Sequence, residues 1–244
     1  MSFQEHRRRF YKLPFSEQLH TYAEHHWQQI VRHRFTDALG DGTLHDDILA
    51  RYLTQEYALT HAHIRVAANA LADAPDMAQK HILAGYLAAV SGEKNAYFQR
   101  SLATLGIPEH HYRRLILPPT ARILENALLD AAGAGYPYAI TSLLASQWSL
   151  LAWTQRQRGK HPPRYYQHEW LTLHDNPAFA HFVDWLRAQT DKFAHLLPTV
   201  QNDLAWQFSH LCEHLHQYFD ALYTASSAPT GKQPSREPPL YQGA

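Results

Sequence analysis

Apolar side chains recur along this chain at intervals of three and four residues and nowhere alternate with polar ones for long, so the pattern predicts helices and no strands. An opening helix is expected from about Ser16 or Thr21, turning Leu19, Tyr22, Trp27, Ile30 and Val31 toward a core. Gly40-Asp41-Gly42 then marks a turn, because glycine reaches left-handed backbone angles without a steric penalty. Thr43 is the expected N-cap of the next helix, with Asp46 and Asp47 in its first turn facing the positive end of the helix dipole, and this helix runs to about Ala72. Further helices are predicted from Met77 to Ser91, with Gly92 as a stop or kink, and from Glu93 to Leu105, closed by Gly106-Ile107-Pro108. Others are expected from Pro118-Pro119-Thr120 to just before Gly133, from Tyr138 to Gln157, from Tyr165 to His174, from Pro177 to Leu197 and from Thr199 to Thr224. The fold class is therefore all-α, a single-domain helical bundle over residues 1–225, and 244 residues suffice to bury a large core. From Ser226 the composition turns to Ser, Pro, Gly, Lys and Glu, and residues 226–244 are expected to form a disordered tail that buries too little to repay its ordering entropy.

One helix carries a feature the pattern alone does not explain. After Thr43, the residues Ile48, Tyr52, Glu56, Leu59, His63, Val66 and Ala70 follow at helical spacing, so Glu56 and His63 lie within the apolar stripe. An inward carboxylate must be hydrogen-bonded, paired or protonated, since burying it alone costs several kcal/mol. It is either an acid/base or ligand-binding group, or a structural carboxylate held by a neighbouring helix. His63 reads as a core histidine.

Composition narrows the function. Lys plus Arg and Asp plus Glu balance at 22 each, which gives no electrostatic ground for nucleic acid or an anionic membrane as partner. The single cysteine, Cys212, excludes an intrachain disulfide framework and suits a reducing compartment; Arg7-Arg8-Arg9 is followed by no apolar run of the signal-peptide kind, so a cytoplasmic location is expected. The most apolar window, Tyr136 to Trp153, is interrupted by Thr141, Ser142, Ser146, Gln147 and Ser149, short of the ~20 apolar residues of a membrane span. Nineteen histidines are present, many scattered or adjacent, and adjacent residues on a helix point apart.

The stretch His33-Arg-Phe-Thr-Asp-Ala-Leu-Gly-Asp-Gly-Thr-Leu44 resembles the H-x-F-x-x-x-(L/I)-x-D-G-T-L motif of the TenA, or thiaminase II, family, which has the haem-oxygenase-like all-helical fold of the TenA/PqqC superfamily. In that family an acidic residue, usually Asp, follows twelve positions later and binds the aminopyrimidine ring of the substrate; the resemblance places Glu56 there. The family segment L-x-P-C-x-W-x-Y, with its nucleophilic Cys, is matched by Leu143-Leu-Ala-Ser-Gln-Trp-Ser-Leu150, so Trp148 is kept while Ser146 stands for the Cys and Leu150 for the Tyr. A serine hydroxyl needs a neighbouring base to attack anything, and the chain is thus similar to a divergent member without the covalent thiol. Cys212 on the last helix reads as a small buried hydrophobe. In Tyr166-Gln-His-Glu-Trp170 the family's following Tyr is replaced by His174, its acidic group on the last helix by His216, three before Phe219, and an aromatic near Pro119 by Arg122. A one-turn slip would put Glu213 or Cys212 in place of His216.

The resemblance implies a polar pocket with Glu56, His174 and His216 as candidate acid/base groups and Tyr52, Arg122, Ser146, Gln147, Trp148 and Phe219 as candidate substrate-binding residues. The ligand would be a small heterocycle, aminopyrimidine- or thiamin-related, hydrolysed by water in place of the thiol. No cofactor is implied, and the family suggests a homodimer or homotetramer. Two alternatives stay open: a non-catalytic binding protein, and a metal-dependent, di-iron oxidase drawing ligands from Glu56, His174, Glu213, His216 and Asp220, since Glu-x-x-His spacing is what helical iron sites use. The Glu-x(6)-His pattern of such oxidases is missing after Glu93, and the His, Tyr and Arg clusters of PqqC find no counterpart.

Overall fold

In the computed structural model, which describes residues 1–224, helices follow one another and no strand occurs among the described residues. They are α1 (Phe3–Arg9), α2 (Phe15–Tyr22), α3 (Glu24–Val31), α4 (Arg34–Gly40), α5 (Asp46–Asp73), α6 (Met77–Ala89), α7 (Asn95–Thr104), α8 (Glu109–Arg113), α9 (Pro119–Gly133), α10 (Tyr136–Gln155), α11 (Tyr165–His174), α12 (Pro177–Asp191) and α13 (Pro198–Thr224). Val90–Lys94 wind as a π-helix between α6 and α7, and Lys192–His195 as a 3-10 turn after α12. The tail expected over 226–244 lies outside the described residues.

Local chemistry accounts for the starts and stops. Helix α1 is held by a capping box in which the Ser2 hydroxyl accepts from the Glu5 N–H (3.4 Å) and the Glu5 carboxylate accepts from the Ser2 N–H (2.8 Å). The predicted opening helix is in fact two, α2 and α3, parted at Ala23, whose ψ of 6° leaves the helical range without a Gly or Pro to mark it. His33 caps α4, its Nδ1 accepting from the Phe35 N–H at 3.0 Å. His45, not Thr43, caps α5 by accepting from the Asp47 N–H at 3.4 Å, while the Thr43 hydroxyl turns back to donate to the Ala38 carbonyl at 3.4 Å. Gly42 between them has φ +72°, and a Cβ there would lie 2.6 Å from Pro163 Cδ, so both conformation and space require glycine. Gly92 does not stop its helix: the backbone continues through it as the π turn.

Helix α10 runs through the middle, packed against α5, α9, α12 and α13, and is buried on almost every face. Three of its hydroxyls donate back along the helix, Ser146 to the Ser142 carbonyl (3.1 Å), Ser149 to the Ser146 carbonyl (3.0 Å) and Thr154 to the Leu150 carbonyl (2.9 Å), while those of Thr141 and Ser142 are buried without a partner. Trp153, Trp170, Tyr97 and Tyr218 are the largest side chains fully enclosed. No helix among the described residues is long and apolar enough to cross a membrane.

Candidate functional site

Helix α5 buries Tyr52, Glu56, Leu59 and His63 on one face. Facing Glu56 across the core is Lys94, the last residue of the π turn, with Nζ 3.7 Å from Oε1. At that separation the pair attracts by about 4–5 kcal/mol at the effective dielectric of protein interiors, comparable with the several kcal/mol each ion loses on leaving water. Burial is accordingly the larger influence on both groups, raising the Glu56 carboxyl above its ordinary range and lowering the Lys94 ammonium, each partly opposed by its partner. Both are driven toward their neutral forms. The Lys94 ammonium also lies over the Trp170 ring, 5.1 Å from its centroid, and 5.8 Å from that of Phe98.

Lys94 forms part of the wall of a cavity of about 460 Å³ between α6, the π turn, α11 and α12, a volume suited to a small organic molecule. One wall is aromatic: Tyr86 and Phe182 stack at 4.3 Å with planes 10° apart, and Trp185 continues the stack at 5.9 Å and 18°. Gln147 and His174 supply polar edges. The Nδ1 of His174 lies 2.9 Å from the Trp170 carbonyl, which can only accept, so that nitrogen carries the proton and Nε2 keeps a lone pair. Burial, with Lys94 second, lowers the His174 imidazolium pKa well below the ordinary value. His63 is arranged alike: Nδ1 donates to the Leu59 carbonyl at 3.1 Å, Nε2 is buried without a partner, and burial pushes its pKa down to about 3. Two neutral imidazoles with bare acceptor nitrogens thus accompany one buried acid and one buried amine.

The predicted site residues divide. Tyr52, Glu56, Ser146, Gln147 and Phe219 do converge, together with His63, but around a void of about 30 Å³, far smaller than the 460 Å³ cavity. Gln147 borders both this void and the large cavity, and His174 borders the large one. Ser146 donates to a backbone carbonyl rather than to a base, and Cys212 is fully buried with its thiol pKa pushed up by that burial, so neither is set up as a nucleophile. His216 reaches neither space. On α13 the inward face presents Leu215, Tyr218 and Phe219, and His216 lies one face over, its Nε2 3.3 Å from Asp220 Oδ2. Arg122 is exposed and reaches only the Leu117 carbonyl at 3.5 Å. Trp148 packs outward among His20, Trp27 and Arg187. Lys94 and the three stacked rings were not anticipated from sequence. A signal existed for Lys94: it falls four residues after buried Val90 and three before buried Tyr97, inside the apolar stripe.

Of the metal donors considered from sequence, only His216 and Asp220 come together. Glu213 pairs with His210 (3.1 Å) instead of His216, and Glu56 and His174 stand apart from both. Among the described residues, His33, His216 and Asp220 do bring donor atoms within 4.8 Å of one another. There His33 accepts the Phe35 N–H through Nδ1, so its neutral ring is protonated at Nε2, the nitrogen 3.2 Å from Asp220. Coordination through Nε2 would require that proton to move and the α4 cap to break; the trio fits a hydrogen-bonded clamp between α4 and α13 better than a metal centre.

The sequence profile of the TENA/THI-4/PQQC family matches residues 20–225. The chain belongs to this family. Its fold is shared with a TenA homologue from P. horikoshii OT3 (TM-score 0.78, 18% identity, covering 87% of this chain and 99% of that one). A TenA homologue from Pyrococcus furiosus is similarly close (TM-score 0.76, 19% identity, 86% and 100% covered). So is a protein described as a putative TenA-like thiaminase from Sulfolobus solfataricus P2 (TM-score 0.71, 16% identity, 85% and 95% covered). At these identities the likeness establishes the TenA-type fold alone. No curated protein sequence matches the chain closely enough to count as a relative. In this chain the large cavity lies on the Lys94 side of the Glu56–Lys94 pair.

Proposed function

We propose that this TenA-family protein binds a small planar, amine-bearing heterocycle of the aminopyrimidine class, related to thiamin, in the 460 Å³ cavity. The observation carrying this reading is the pairing of a stacked aromatic wall with acceptors that lack donors. A flat ring would lie against Phe182 and Trp185, and its N–H groups would meet the bare Nε2 of His174 and the Gln147 side chain. Glu56, its carboxyl pKa raised by burial, can hold and pass a proton through Lys94 or an intervening water, which suits hydrolysis with water as nucleophile. One feature favours binding without turnover as a second reading: neither Ser146 nor Cys212 has an activating base. As in its family, a homodimer or homotetramer is expected.

The test is calorimetry with 4-amino-2-methylpyrimidine and thiamin, beside an assay for ammonia and thiazole release. Binding that weakens by about 1–3 kcal/mol in Glu56→Gln or His174→Ala supports the reading. Absence of binding by either compound removes it. Binding with no release selects the second reading.

A further inference from the structure

We propose that Lys94 is a carbonyl-capturing amine, whose Nζ condenses with the aldehyde of a small aromatic molecule seated in the large cavity to form an imine. The placement is the main argument. Lys94 ends a π turn, and such turns occur frequently at functional sites. Its amine borders the cavity, and the nearest carboxylate oxygen, on Glu56, lies at 3.7 Å, beyond a close hydrogen bond. Its other neighbours include the ring faces of Trp170 and Phe98, which cannot accept a full hydrogen bond in place of water. Burial favours the neutral amine and the neutral acid together, so passing the Lys94 proton to Glu56 yields a lone pair on nitrogen beside a proton donor. The stack of Tyr86, Phe182 and Trp185 would hold a flat aldehyde against this amine.

The step balances within these residues. The Nζ lone pair attacks the carbonyl carbon, the C=O π electrons move to oxygen, and Glu56 gives that oxygen its proton and takes one from nitrogen. In the resulting carbinolamine, Glu56 again protonates the hydroxyl, which departs as water while the nitrogen lone pair forms the C=N bond. The product is an iminium facing a Glu56 carboxylate, the charge pair with which the site began.

This shares the cavity of the function proposed above but does not require a pyrimidine. The experiment is incubation of the full chain with benzaldehyde and sodium cyanoborohydride near neutral pH, followed by intact mass and peptide mapping. A single benzyl group on Lys94, absent in Lys94→Arg and formed about a hundredfold more slowly in Glu56→Gln, is the expected result. Benzyl groups on Lys12, Lys160 or the N-terminus with none on Lys94 would overturn it, and the map of the unsubstituted protein decides this whether or not the variants fold. Lys94 labelling with silent pyrimidine calorimetry sinks the pyrimidine reading alone; pyrimidine binding with unlabelled Lys94 sinks the imine alone.

Discussion

Two histidines and one ion pair carry the chemistry that can be tested residue by residue. His63 and His174 have folded pKa values below the ordinary 6.5, so between their folded and unfolded pKa values the unfolded chain holds protons that the folded chain does not. Their contribution is complete above pH 6.5 and is lost as pH falls toward about 3, the value to which His63 is pushed. Each proton taken up on unfolding adds a slope of about 1.4 kcal/mol per pH unit, so urea midpoints should fall from pH 7 to pH 5 and flatten by one proton's worth in His63→Gln. Glu56, raised by burial, opposes this: its contribution is present below its unfolded value of 4.5 and is lost as pH rises through its folded pKa. Lys94→Met should cost less than the roughly 3–5 kcal/mol typical of a broken buried pair, because Glu56 can accept a proton, and adding Glu56→Gln should change little more. A double-mutant cycle by chemical denaturation measures this. Glu56 was legible in the sequence because a carboxylate in an apolar stripe violates the pattern. Lys94 sits in its stripe too, but Gly92 two residues earlier reads as a helix end, which hides the spacing.

At the level of the helices, the connection between α4 and α5 is the most constrained segment. Gly42→Ala should destabilise by at least the roughly 1–2 kcal/mol of a left-handed non-glycine residue, more if Pro163 cannot move aside. His33→Ala removes the α4 cap and should cost about 1–2 kcal/mol, whereas Asp220→Asn, which keeps an oxygen for His33, should cost little; thermal melts of the two separate a capping role from an electrostatic one. The long helices were legible from their periodicity to within a few residues at most ends. Helix α1 was not, although its Ser2-x-x-Glu5 box is a start signal, because its seven residues give too short a pattern. The break at Ala23 left no trace, since neither glycine nor proline stands there to forbid helix. Helix-capping by His33 and His45 was also unreadable, as histidine is an uncommon cap.

For the molecule as a whole, the family and fold were legible from a dozen residues, while the place of the principal cavity was not, because it depends on how far α6 and α12 stand apart. A resemblance transfers positions; it does not transfer the volume left between them. If 4-amino-2-methylpyrimidine enters that space, the protein should gain about 2.7 kcal/mol at a concentration a hundred times Kd, seen as a higher melting temperature that disappears in Phe182→Ala. The three-ring wall has an optical consequence. Trp185 stands half-exposed at its end, so a guest slipping beside it would displace water from the indole and shift or quench its emission. The cavity therefore carries its own gauge of occupancy, readable by titration in solution, and Trp185→Phe should silence it while leaving the other indoles glowing.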